Sequence, residues 1–290
     1  MTKDAKKIAP PSLLDDTRNL LRRAGLVARK RLGQHFLVDE EVLAKILAAA
    51  GVSSGDTVIE VGPGLGILTV ELTKRAKEVV AVELDDNLAA LLKETLVGLP
   101  NVRIINRDIL DVEPEELLEG ESPRYRVIAN LPYYITAPVF RHFLEAKIKP
   151  ESMVVMVQKE VARNIIAGPG DLSLLALSIQ FYAEPKLVTY VPASSFYPPP
   201  KIDSAVLRLE ILPRPRFEVG DPGRFFGLVK AGFSAPRKQL LNSLSGGLGK
   251  TREEISAILE KAKIDSKRRA EMLSLEEWAN LWRVYSNEKP

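Results

Sequence analysis

The sequence predicts an α/β domain built on a mostly parallel sheet, followed by a small all-helical domain. Three observations carry that expectation. From Asp56 onward, short β-branched runs alternate with stretches of helical periodicity, as in a parallel sheet covered by helices on both faces. The first run ends in Glu60-Val61-Gly62-Pro63-Gly64-Leu65-Gly66, a glycine-rich turn that opens a helical pattern. After Leu212-Pro213-Arg214-Pro215 the alternation stops and only helical periodicity remains.

In chain order, residues 1–30 carry Pro10-Pro11 and a short helical pattern through Leu13, Leu14, Leu20 and Leu21 that ends near Gly25; a mobile basic arm is expected. The main domain is expected over residues 31–211. Asp39 reads as the N-cap of a helix with Val42, Leu43, Ile46 and Leu47 on one side, stopping at Gly51. Strands are expected at Thr57 to Val61, Val79 to Glu83, Val102 to Asn106, Arg126 to Asn130 and Met153 to Gln158, with helices at Ile67 to Lys74 and Asn87 to Leu96 between them. A helix over Leu172 to Ala183 precedes two more strands, Leu187 to Val191 and Ala205 to Ile211, which flank the loop Ser194 to Pro200. The helical domain, residues 212–290, has patterns at Phe225 to Phe233, Arg237 to Leu244, Arg252 to Ala262 and Leu275 to Tyr285.

Composition narrows the function. At 290 residues and 46% apolar content the chain can bury a sizeable core. It has no cysteine and two histidines, which rules out disulfides and a cysteine nucleophile and argues against a resident metal. No apolar run reaches the ~18 residues of a membrane span and no secretory leader is apparent, so a soluble cytoplasmic protein is expected. The net charge of +3 says little. Its distribution says more: basic residues gather at Arg18, Arg22, Arg23, Arg29, Lys30 and Arg31, and again at Lys261, Lys263, Lys267, Arg268 and Arg269. Such clusters are often only solvated helix faces, but beside a base pocket they would meet phosphates.

The glycine-rich turn departs from the dinucleotide fingerprint. Ile67 stands where a small residue is wanted and a glycine falls at 66, which favours a ligand without a pyrophosphate. Glu83 ends the second strand 21 positions after Gly62, where an acid would accept ribose hydroxyls. Asp108 follows the third strand and can accept from an adenine amine. Acids at successive strand ends, on the sheet edge where open α/β folds bind ligands, point to an adenosyl ligand, and S-adenosylmethionine fits best.

Asn130-Leu131-Pro132-Tyr133 closes the fourth strand. A side-chain amide oxygen and the Leu131 carbonyl offer two acceptors to an exocyclic amine, and Tyr133 offers a ring to its base. Acceptors placed for a tetrahedral nitrogen would stabilise the positive charge that develops as adenine N6 is alkylated.

Taken together, Gly33-Gln34-His35-Phe36-Leu37, Glu60-Val61-Gly62-Pro63-Gly64, Asn130-Leu131-Pro132-Tyr133-Tyr134-Ile135, Gln158-Lys159-Glu160-Val161-Ala162 and Phe196-Tyr197-Pro198-Pro199-Pro200-Lys201-Ile202-Asp203-Ser204 resemble the motifs of the small-subunit ribosomal RNA adenine N6-dimethyltransferases. The resemblance runs from about Arg31 to Ile211 and continues more loosely into the tail. It implies a Rossmann-like, S-adenosylmethionine-dependent methyltransferase sheet of seven strands with a final antiparallel strand, and a C-terminal helical domain that helps hold RNA. It implies cofactor contacts from His35, Leu37, Gly62, Glu83, Asp108 and Asn130, to which the pocket-closing Gln34 and the turn's Gly64 are added. Tyr133 and Phe196 would sandwich the target adenine while Asn130 and the Leu131 carbonyl receive N6. Many members have asparagine where His35 stands. The implied substrate is a pair of adjacent adenosines in the hairpin near the 3′ end of small-subunit rRNA, in a pre-ribosomal particle, attacked by a monomer. Arg31, Arg237 and Lys238 are expected to face phosphate. Three other readings share part of this pattern: a large-subunit rRNA adenine methyltransferase of the antibiotic-resistance type, an assembly factor with secondary catalysis, and a protein glutamine methyltransferase.

Overall fold

Strand ends converge on one edge of a seven-stranded sheet, and that edge positions the site. The structure, a computed structural model, describes residues 12–29, 33–118 and 124–287. Its strands are β1 Phe36–Leu37, β2 Thr57–Val61, β3 Glu78–Val82, β4 Val102–Ile105, β5 Tyr125–Asn130, β6 Ser152–Gln158, β7 Ala183–Val191, β8 Phe196–Tyr197 and β9 Ser204–Ile211. The large sheet runs β4-β3-β2-β5-β6-β9-β7, and β1 pairs separately with β8. Neighbours from β4 to β6 are parallel, while β9 lies antiparallel to both β6 and β7. The Rossmann-like sheet with an antiparallel strand is therefore present. Strand order reverses between β2 and β5, and the crevice beyond the carboxyl ends there is where open α/β sheets take ligands.

The central strands are buried on both faces, which is why β6 reads as an unbroken apolar run; six of its residues, Ser152 to Val157, are buried. The helix Glu40–Ala50 forms as its sequence dictates. The Asp39 carboxylate accepts from the Glu41 and Val42 amides, and Gly51, at φ +56°, ends the helix in the left-handed region. Three helices carried no clear signal in the sequence, Pro114–Leu117, Thr136–Glu145 and Lys159–Ile165. Strand β7 starts at Ala183, earlier than its β-branched residues suggest, because β9 supplies partners for Glu184 and Pro185 as well.

The N-terminal segment differs from a mobile arm over residues 12–29. Its helix Leu13–Arg23 is capped by Ser12, and Leu21 is buried in a cluster with Phe36, Leu65, Leu88 and Leu91. Residues 1–11 and 30–32, Arg31 among them, lie outside the described residues.

The tail folds into helices Pro222–Phe233, Leu240–Leu248, Arg252–Lys261 and Leu275–Asn287. Its apolar face is continuous with the core of the sheet domain: Phe181 packs against Phe225 and Phe226, with ring centroids 5.3 Å apart in each case. Trp278 and Leu281 are fully buried in the same cluster. A shared core of this kind fixes the tail against the sheet.

Candidate active site

A cleft opens at the reversal point of the strand order. It is lined by Gln34, His35, Phe36 and Leu37 from the N-terminal side, by Gly62, Pro63 and Gly64 after β2, by Glu83 after β3, by Asp108 after β4 and by Asn130 at the end of β5. Every expected cofactor contact thus falls on one cavity.

The glycine turn passes close to its neighbours. Gly62 and Gly64 have φ of +68° and +59°, and a Cβ on Gly64 would lie 3.2 Å from the Phe36 ring. A side chain there would fill the cradle and strain the backbone. Glu83, nearly buried, accepts from the Gly64 amide at 3.1 Å and from the Asp85 amide at 2.9 Å. Burial raises its pKa, partly offset by those amides. The Leu84 amide adds a third donor, and the remaining acceptor capacity can take a ribose hydroxyl. Asp108 caps the short turn of helix at Ile109–Asp111 through Leu110 N at 2.9 Å, which fixes its carboxylate at the cleft wall. These residues fit an adenosyl group.

Deeper in the wall, Glu60 is fully buried, and among the described residues no hydrogen bond reaches its Oε2. Burial pushes its pKa up to about 8; the nearby Thr69 hydroxyl lowers it somewhat and the Glu83 charge raises it further. Burial thus favours its protonated form.

On the base side, the Asn130 amide is oriented by its donor end. Nδ2 donates to the His35 carbonyl at 3.2 Å, which leaves Oδ1 as the acceptor for an incoming N–H. The His35 ring is held in turn, with Nδ1 2.7 Å from the Pro198 carbonyl; a carbonyl only accepts, so Nδ1 carries the proton. The Tyr133 ring lies nearly parallel to that of His35, centroids 6.4 Å apart at 24°. Its hydroxyl is 2.9 Å from Ser204 Oγ, and burial raises its pKa. Leu131 is buried and its amide donates to the Met156 carbonyl, anchoring the turn to β6.

Phe196 is not brought to the cleft, and neither Leu131 nor Tyr133 is among the cleft's lining residues. Phe196 is 4% exposed, pairs in register with Leu37 and belongs to a core cluster with Val42, Leu43 and Ile46. Reaching a base would require the β8 segment to shift. Tyr134, over half exposed, lines the cleft instead. Arg237 and Lys238 are exposed on the turn before the helix Leu240–Leu248.

Sequence reasoning missed a strap across the cofactor side. Gln34 Nε2 donates to Asp85 at 2.9 Å, Arg29 pairs with the same carboxylate at 3.1 Å, and the Arg29 amide donates to Gln34 Oε1 at 2.7 Å. Asp85 also caps the helix Asp86–Thr95. That capping position was the available signal, since an acid before a helix start is legible in sequence.

Comparison with known proteins decides the family. The family model for ribosomal RNA adenine dimethylase matches residues 25–281. The chain belongs to the ribosomal RNA adenine dimethylase family. It is therefore an S-adenosylmethionine-dependent methyltransferase of ribosomal RNA adenine. It is 54% identical over 276 residues to ribosomal RNA small subunit methyltransferase A of Dehalococcoides mccartyi, covering 95% of this chain and 94% of the relative. The protein of the same name from Moorella thermoacetica is 46% identical over 91% of this chain and 95% of its own length. Among solved structures, the 23S rRNA methyltransferase ErmE is 30% identical with a TM-score of 0.68, covering 87% of this chain and 100% of that one. This adenine dimethylase thus keeps the cleft on the edge of the sheet where its sequence motifs converge.

Proposed function

We propose that this enzyme dimethylates N6 of two adjacent adenosines in the hairpin near the 3′ end of small-subunit rRNA, within a pre-ribosomal particle, as a cytoplasmic monomer. The names of the relatives at 54% and 46% identity support the choice of subunit. The observation that carries the chemistry is the Asn130 amide, whose donor end is committed to the His35 carbonyl.

S-adenosylmethionine, held by Gln34, His35, Leu37, Gly62, Gly64, Glu83, Asp108 and Asn130, supplies an electrophilic methyl on a sulfonium. The protein's own task is to present N6 to it. Adenine N6 is a weak nucleophile because its lone pair is delocalised into the ring. Asn130 Oδ1 and the Leu131 carbonyl take its two N–H bonds and favour a tetrahedral nitrogen, so they stabilise the positive charge more in the transition state than in the ground state. Tyr133 stacks on the base from the position Ser204 gives it, and Phe196 completes the sandwich when β8 shifts. Only an unstacked base enters such a site. Transfer is direct: the N6–methyl bond forms as the methyl–sulfur bond breaks, the electron pair leaving with the thioether, and the N–H proton, made acidic by the new bond, leaves to water. Arg31, Arg237 and Lys238 hold the RNA backbone, and any role in subunit assembly is additional to catalysis.

The test is mass spectrometry of fragments of both rRNAs after incubation with isotopically labelled S-adenosylmethionine. Two dimethylated adjacent adenosines in the small-subunit fragment are expected. A label confined to large-subunit rRNA would transfer the assignment to the ErmE type of activity; a label on protein glutamine would end it.

A further inference from the structure

The segment Gln158-Lys159-Glu160-Val161-Ala162 has no part in the chemistry above, yet it opens onto the same sheet edge. Gln158 ends β6 and Lys159 begins the helix Lys159–Ile165. Across β9, on β7, stands Tyr190, 45% exposed. Lys159 Nζ lies 5.3 Å from the centre of the Tyr190 ring and the Arg163 guanidinium carbon 6.0 Å from it. An exposed ring and two flanking cations therefore stand together at this edge. They are the composition of a platform for single-stranded nucleic acid, where a base stacks on the ring and cations meet the flanking phosphates.

The position of this group is as informative as its composition. The Tyr133 hydroxyl reaches Ser204, the first residue of β9. Ser204 pairs in register with Gln158 on one side and with Val191, next to Tyr190, on the other. Tyr190 pairs with Ala205, so its ring leaves the sheet on the face opposite Ser204, and a strand passing round the ends of β9 and β7 would run from one tyrosine to the other. The cations have acidic neighbours, Asp203 at 3.7 Å from Lys159 and Glu160 at 2.8 Å from Arg163. Exposed pairs of this kind are weak, so phosphate can replace either partner.

We propose that Tyr190, with Lys159 and Arg163, forms a second nucleotide site that stacks a base flanking the target adenosine and neutralises two adjacent phosphates. This rests on the rRNA reading above and adds a site that holds the strand on the far side of the flipped base, away from the cofactor cleft.

The experiment uses the full chain and a fluorescent single-stranded oligoribonucleotide of about 12 nucleotides containing two adjacent adenosines. Tyr190→Ala should weaken binding about tenfold, whereas Tyr190→Phe, which keeps the ring, should match the parent. The double variant K159Q/R163Q should reduce the slope of log affinity against log salt by about 1.4, two phosphates on a single strand, while Tyr190→Ala leaves the slope unchanged. S-adenosylmethionine binding, measured by calorimetry, should be the same in all of them. In rRNA methylation Tyr190→Ala should raise KM and leave kcat alone. A parent that methylates rRNA while Tyr190→Ala and K159Q/R163Q leave affinity, slope and KM unmoved overturns the platform and spares the rRNA reading. A parent that neither binds the oligonucleotide nor methylates rRNA overturns both.

Discussion

On the β2, β3 and β4 side of the sheet edge the strand ends present carboxyl groups, Glu60, Glu83 and Asp108, packed round a glycine turn. On the β5, β6 and β9 side they present an amide, main-chain carbonyls and phenols, with cations only at the rim. The two proposed ligands would account for the difference. A ribose and an adenine ring offer O–H and N–H donors, and carboxylates accept those strongly. An attacking N6 instead needs acceptors that stabilise a growing positive charge. Neutral oxygens fixed in place do so without the desolvation cost of another buried anion. The cofactor side already bears that cost, since burial favours protonated Glu60 and raises the pKa of Glu83.

The strongest way to test this contrast is to remove the neutral acceptor. Asn130→Ala should lower kcat about a hundredfold, about 2.7 kcal/mol of transition-state stabilisation, with RNA affinity nearly unchanged. Single-turnover kinetics and RNA titration on the same protein read the two quantities separately. Equal turnover would break the assignment of charge stabilisation to the base side.

Glu60→Gln probes the cofactor side. The folded-state pKa of about 8 lies above the ordinary 4.5, so between these values the folded protein holds a proton that the unfolded chain has lost. Stability from this group is complete below about pH 4.5 and falls as pH rises toward 8. The glutamine variant lacks that loss and should be about 2 kcal/mol more stable than the parent at pH 8, a discounted share of the roughly 1.4 kcal/mol per pH unit that one proton allows. Thermal melts from pH 5 to 8 should show the two curves diverging with rising pH; parallel curves would mean that Glu60 ionises freely in the fold.

Gly64→Ala sharpens the geometric half of the contrast. A positive φ costs an L-residue about 1–2 kcal/mol, and the new methyl would press on Phe36. Cofactor affinity measured by calorimetry should fall by about tenfold, with RNA binding spared. Arg29→Ala should have the smallest effect. The Arg29 side chain is 53% exposed, so its ion pair with Asp85 contributes well under ~1 kcal/mol to stability. Loss of the strap should still speed cofactor dissociation in stopped flow, and an unchanged off-rate would show that Gln34 alone secures the segment.

Much of the site was legible in the sequence because local chemistry fixes it. Glu83 and Asp108 follow β-branched runs, Gly62 and Gly64 form the turn, Asn130 ends a strand, and all of them do line one cleft. Phe196 shows where such reading stops. The motif resemblance sets its ring against the target base, but pairing of β8 with β1 turns it into the core beside Leu37. The N-terminal segment shows the same limit, since only the distant partners Leu65, Leu88 and Leu91 tell that Leu21 is buried.

The sequence by itself determined the strand alternation, the glycine turn and the order of polar strand ends, because periodicity and backbone preference act over a few residues. Tertiary structure alone decided which end of the Asn130 amide is committed to His35, which tyrosine is tied to Ser204, and that the helical tail shares its core with the sheet. Those outcomes depend on contacts between residues far apart in the chain, such as His35 with Asn130 and Tyr133 with Ser204, and no local pattern encodes them.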